Sequence, residues 1–117
     1  MASVVGWGPV LLFVQPFEAC RRFYEDGIGL VPRVARAGYV EYPVGSATLA
    51  LHATSEPRPG PGPVALHLYV ESADAMAQQL LAAGFPPPRP VVVQPWGREL
   101  SVADPAGCPW DLLERPA

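Results

Sequence analysis

Four side chains are candidates for an acid–base site near neutral pH: Glu41, His67, Glu99 and Asp111. An imidazole titrates close to neutrality, and a carboxylate beside it can orient it. They are spread along the chain, so only the fold can bring them together. No other catalytic pattern accompanies them. There is no glycine loop for a nucleotide, no G-x-S-x-G and no Cys–His motif. A polar block stands at QPWGRELSVADPAG, Gln94–Gly107, which holds a Trp, an Arg–Glu pair and a DPAG turn.

The elements that must position these groups form one domain. The 117 residues can bury a core, and half of them are apolar, which argues against disorder. A net charge of −3 with no Lys/Arg run leaves no nucleic-acid footprint. No stretch is long enough to span a membrane. The start, MASVVGWGPVLLFV, lacks a basic n-region and a cleavage site and reads as mature protein, with the cytoplasm as the expected location. Two cysteines cannot build a disulfide framework, and Cys20 falls in a helical pattern as a core residue.

Sixteen prolines gather mainly in EPRPGPGP (Glu56–Pro63) and PPPRP (Pro86–Pro90), which read as stiff connectors. The first divides a chain that is written twice. Val14-Gln-Pro-Phe-Glu-Ala matches Val70-Glu-Ser-Ala-Asp-Ala, each ending a strand and opening a helix. Pro16 suits a first helical turn and Ser72 an N-cap. The helices are expected to stop at Gly27 and Gly84. Phe17, Cys20, Phe23 and Tyr24 form one apolar stripe; Ala73, Met76, Leu80 and Ala83 form the other. Tyr42-Pro-Val-Gly then matches Asp104-Pro-Ala-Gly as turn chemistry. One more strand follows each turn, at Ser46–His52 and Cys108–Glu114. The expected class is α+β: two βαβββ modules, about 8–53 and 64–115, joined by a proline-rich linker at 54–63.

Paired βαβββ modules resemble the vicinal oxygen chelate superfamily, which includes glyoxalase I, extradiol dioxygenases and bleomycin-resistance proteins. FYEDGIGL (Phe23–Leu30) and QPWGRELSVADPAG carry the resemblance. The second phrase and the WGPVLLFV opening are most similar to the antibiotic-binding resistance proteins. The resemblance implies that each module curls a mixed sheet into half a cleft, completed by homodimerisation. It also implies four metal-ligand positions on the first and last strands of the modules. Matched through the repeat, these fall at Pro9, Ala65, Leu49 and Asp111. Three of the four have no side-chain donor, so no metal and no other cofactor is expected.

Strand alternation sorts the remaining side chains. Leu66, Leu68 and Val70 should pack under a helix, with Ala65, His67 and Tyr69 toward the cleft. Pro9, Leu11 and Phe13 line the first strand's cleft face. Tyr39 and Glu41 look the same way, with Val40 in the core. Their counterparts are Ser101, Ala103 and Glu99 on the cleft side and Val102 in the core. Asp111 and Leu113 face the cleft from the last strand, and Trp110 faces the core. His52 is expected to point away from the cleft, opposite to Leu49. The family picture sets Trp7 and Trp96 near the mouth. Arg98 and Glu99 are expected to pair.

The expected cleft is therefore broad, aromatic and aliphatic, with a few polar groups. It suits a large, flat, amphipathic molecule. The function this implies is metal-independent binding of a natural-product antibiotic. An enzyme of the lyase, isomerase or dioxygenase kind on the same scaffold is the alternative. The expected partners are the antibiotic and a second copy of the chain, with neither nucleic acid nor membrane.

Overall fold

The computed structural model describes residues 2–56 and 64–117, so all but the first three residues of the expected connector at 54–63 lie outside the described residues. In the first half, β1 (Val10–Val14) leads into α1 (Phe17–Arg22), which continues as a π-helical turn over Phe23–Ile28. Then come β2 (Val34–Arg36), β3 (Tyr39–Val44) and β4 (Ala47–Ala53). In the second half, β5 (His67–Tyr69) leads into α2 (Ala73–Ala82), followed by β6 (Val92–Gln94), β7 (Gly97–Ala103) and β8 (Pro109–Glu114). The two sheets have the same order, β1-β4-β3-β2 and β5-β8-β7-β6. In each, the first and last strands of the half run parallel and the others antiparallel. The α+β class of two mixed-sheet modules is thus the observed one.

The local rules act as the residue types dictate. The Ser72 hydroxyl accepts the Ala75 N–H at 3.1 Å as the N-cap of α2. Gly84 follows the helix with φ +91°, a left-handed position that suits a residue without Cβ. The first helix overruns its expected stop. Gly27 stays helical because it meets α2, where an added Cβ would lie 2.9 Å from Leu80 Cδ2. The chain turns out two residues later at Gly29, φ +93°. Gln79 of α2 donates to the Gly27 and Ile28 carbonyls at 2.7 and 3.2 Å, covering acceptors that a helix end leaves open.

One core serves both halves. Val40, Tyr42 and Leu51 of the first sheet and Leu100, Val102 and Leu112 of the second join Cys20, Phe23, Tyr24 and Leu80 of the helices. Trp110 is in this core, as its strand parity predicts. A buried polar chain ties the halves together. Trp110 Nε1 donates to Tyr24 Oη at 2.8 Å, and that hydroxyl donates to Asp104 Oδ2 at 2.6 Å. Asp104 Oδ1 accepts the Ala106 and Cys108 amides at 2.9 and 2.8 Å. The DPAG turn is therefore more than a reversal of direction: its carboxylate anchors the first helix.

Burial, reinforced by Asp104, pushes the Cys20 thiol up to about 12 and the Cys108 thiol up to about 11 from an ordinary 9.0. Burial likewise raises the Tyr24 and Tyr42 hydroxyls. The folded chain keeps these protons after the unfolded chain has lost them. From about pH 9 upward the unfolded state binds fewer protons, so stability falls as pH rises. The urea midpoint should be lower at about pH 10 than at about pH 7; an equal or higher midpoint would contradict the buried placement. Gly97 gives a second test. It holds φ +140°, and a Cβ there would stand 2.1 Å from the Glu114 carbonyl oxygen. Gly97→Ala should cost about 3 kcal/mol or more in the same denaturation experiment.

Candidate functional site: the outward faces of the two sheets

Paired residues on neighbouring strands share a face, so the register sets out each outward surface in rows. In the first sheet one row runs Leu11, Ala50, Glu41, Val34 and the next Phe13, His52, Tyr39, Arg36. In the second sheet the rows are His67, Asp111, Ser101 and Tyr69, Leu113, Glu99, Val92. The outward positions named from the sequence, Leu11, Phe13, Tyr39, Glu41, His67, Tyr69, Glu99, Ser101 and Asp111, all fall in these rows. Leu113 also does, although its own side chain is buried. Pro9 is exposed just ahead of β1. Trp7 stands farther out, 96% exposed, and Trp96 ends the β6–β7 turn at 53%.

Two assignments change. Leu49 pairs with Val10 and Tyr42, is only 4% exposed and belongs to the core, not to the cleft face. His52, expected to point away, shares the outward row with Phe13 and Tyr39, at ring-centroid distances of 5.6 and 6.2 Å. The cause is loop length. In the first half Val44 pairs with Ala47 across a turn of Gly45 and Ser46. In the second, Ala103 pairs with Pro109 across the longer Asp104–Cys108 loop. Equating YPVG with DPAG therefore slips the last strand by one residue, and one residue inverts every side chain of a strand. Correct pairing sets Ala50 opposite Asp111 in the repeat. The expected Arg98–Glu99 pair also dissolves, since neighbours on a strand face opposite ways. Arg98 Nη2 donates to both Asp74 carboxylate oxygens at 2.9 and 2.8 Å on the helix side. Glu99 instead accepts from Trp96 Nε1 at 3.0 Å.

The polar groups of the two faces differ in character. On the second sheet, Ser101 Oγ donates to Asp111 Oδ1 at 2.8 Å, and Asp111 Oδ2 lies 3.6 Å from His67 Nε2. On the first, Tyr39 Oη donates to Glu41, and Arg33 reaches Glu41 at 3.4 Å and Thr48 Oγ1 at 3.1 Å. These contacts, led by the Tyr39 hydrogen bond, hold the Glu41 carboxyl below its ordinary value. His52 Nδ1 donates to the Ala53 carbonyl at 2.8 Å, which leaves Nε2 of the neutral ring as an acceptor. Arg36 lies 4.9 Å over the Tyr39 ring and Arg115 4.1 Å over the Tyr69 ring. Sequence reading missed His52, Arg33, Arg36 and Arg115. A two-residue hairpin turn at Ala37-Gly38 could have supplied Arg36 as the cross-strand partner of Tyr39, but Arg115 lies past the last strand and carried no signal.

The divalent ion of vicinal oxygen chelate enzymes does not fit this donor set. Pro9, Ala65 and Ala50 supply no side-chain donor, and Asp111 alone remains of the four positions. Glu41 lies in the other sheet from His67 and Asp111. Among the described residues no three His, Cys, Asp or Glu side chains gather as a metal centre needs. Among those residues also, no helix is long and apolar enough to cross a membrane.

Comparison with known proteins agrees with this architecture. A glyoxalase-related enzyme from Fulvimarina pelagi is 26% identical, with a TM-score of 0.80 over 97% of this chain and 90% of its own. Lactoylglutathione lyase from Agrobacterium tumefaciens is 19% identical, with a TM-score of 0.72 over 96% and 95%. A glyoxalase/bleomycin resistance protein/dioxygenase from Nocardioides is 21% identical, with a TM-score of 0.68 over 98% and 86%. No curated protein matches the sequence. The family model for the Glyoxalase/Bleomycin resistance protein/Dioxygenase superfamily matches residues 6–112, and with nearly the whole chain covered, this protein belongs to that superfamily.

Proposed function

We propose that the protein binds and sequesters a natural-product antibiotic, a large flat aromatic compound, without a metal ion, in the cytoplasm. The observation that carries this reading is the make-up of the outward faces. They offer exposed aromatic rings, Tyr69 at 64% and Trp96 at 53%, beside a few polar groups, while three of the four family metal positions lack a donor. Rigid rings supply contact area at small entropic cost, and stacking adds about 0.5–1.5 kcal/mol per good pair beyond area burial. Carboxylates, an imidazole and a serine hydroxyl would fix the ligand's orientation.

Each face on its own is an open half-cleft, and a second copy would supply the other half. Two features support this. β1 and β5 are sheet edges with one partner each among the described strands, and such edges pair readily with another chain. The stretch before β1 carries Val4, Val5 and Trp7, which are almost wholly exposed, with Val5 at 100%. Apolar side chains in such a run call for a covering surface.

An enzymatic reading on the same face has one observation in its favour. Asp111, steadied by Ser101, sits beside His67 at a distance a small shift would close to a hydrogen bond. In that reading His67→Ala abolishes turnover of the ligand.

The direct test is a tryptophan-fluorescence titration of metal-stripped protein with bleomycin, mitomycin, anthraquinone and enediyne compounds, with each compound recovered afterwards. Saturable binding near one ligand per chain and unchanged recovery are expected. Tyr69→Ala and Trp96→Ala should each weaken binding about tenfold, the equivalent of about 1.4 kcal/mol. Conversion of the compound would transfer the site to the enzymatic reading. Binding that needs an added divalent ion would refute metal independence. Sedimentation of the same protein should show a dimer, and a monomer at micromolar concentration would remove the shared cleft.

A further inference from the structure

The aromatic surface of the second sheet is already in use by the chain itself. The Arg115 guanidinium lies 4.1 Å over the Tyr69 ring, and both side chains are exposed. Among the described residues no carboxylate forms an ion pair with Arg115, so the ring is the partner that places it. A flat molecule cannot stack on that face of Tyr69 until the guanidinium leaves. The contact is weak enough to be exchanged, since an exposed cation–π pair contributes about 0.5–1 kcal/mol.

The surroundings of Tyr69 decide what replaces it best. Glu99 shares its row and Asp111 lies one row along, next to Leu113. Among the described residues Asp111 meets Ser101 and His67, and Glu99 meets the Trp96 indole, so neither carboxylate is matched there by an arginine. The first sheet differs: Glu41 is matched by Arg33, and Arg36 adds a further positive charge over Tyr39. An incoming cation is therefore drawn to the second sheet and not to the first.

We propose that Arg115 is a specificity-determining residue that occupies the ligand's place on Tyr69, and that the ligand displacing it is a planar aromatic cation whose charge settles beside Asp111 and Glu99. This rests on the binding reading above and narrows its ligand class to compounds with a cationic nitrogen on or next to the ring system. Such a group restores the interaction Tyr69 loses when Arg115 swings out. It also gains the two unmatched carboxylates, which Arg115 does not engage.

Calorimetric titration with three ring systems of one shape separates the possibilities. At about pH 8, 9-aminoacridine is a cation, acridine is neutral and acridine-9-carboxylate is an anion. The cation should bind the native protein about tenfold more tightly than the neutral ring, and the anion most weakly. Arg115→Ala should tighten 9-aminoacridine about threefold by removing the competitor. The double variant Asp111→Asn, Glu99→Gln should weaken the cation about tenfold and leave acridine within about twofold. Asn keeps an acceptor for Ser101, so a native circular-dichroism spectrum is expected of that variant. Equal binding of all three rings would overturn the cation preference while the aromatic cleft stands. The tightest binding by the anion, or loss of affinity in Arg115→Ala, would reverse the role of Arg115. Binding of none of them, together with failure of the antibiotic panel, would remove the cleft reading as well.

Discussion

The Tyr24 hydroxyl is the point on which the two halves of the molecule depend. It accepts a hydrogen bond from Trp110 Nε1 and donates one to Asp104, so one buried oxygen joins the first helix to the last strand and to the turn before it. A carboxylate this deeply buried is tolerated only when its lone pairs are met, and two turn amides complete the set. The phenol is fixed in turn by rings on either side, Phe23 edge-on at 5.1 Å and Trp110 at 6.2 Å. The two sequence phrases that mark the family, around Tyr24 and around Asp104, are thus the two ends of one hydrogen bond.

That joint explains why the candidate surface faces solvent. The helices and the inner faces of both sheets are consumed in one shared core. Alternation then forces every second strand residue outward, and these residues carry the rings, carboxylates and histidines. An outward face results on each sheet, backed by the shared core. Small differences in residue type give the two faces opposite electrostatic character, arginine-rich around Tyr39 and carboxylate-rich around Tyr69. The core and the candidate site thereby use different residues of the same strands.

Much of this was legible in the sequence because it depends on local rules. The Ser72 cap, the Gly84 stop, the apolar stripes and the inward Trp110 follow from propensity and period alone. The outward rows of β3, β5 and β7 were legible for the same reason. What failed needed knowledge of pairing. Leu49 and His52 exchange faces because the two hairpin loops differ in length, and a repeat read from turn motifs assumes that they do not. Gly27 stays helical because Leu80 packs against it from the other module. The Tyr24–Asp104 bond spans 80 positions of sequence, and no local pattern announces it. Arg115 reaches the site from beyond the last strand and left no periodic trace.

The account requires the two modules to behave as one cooperative unit held by the buried joint. A double-mutant cycle with Tyr24→Phe and Asp104→Ala, followed by urea denaturation, measures that directly. A single transition in all four proteins and a coupling of about 2 kcal/mol between the two positions are predicted. Additive effects, or separate transitions for the two halves in the native protein, would contradict it.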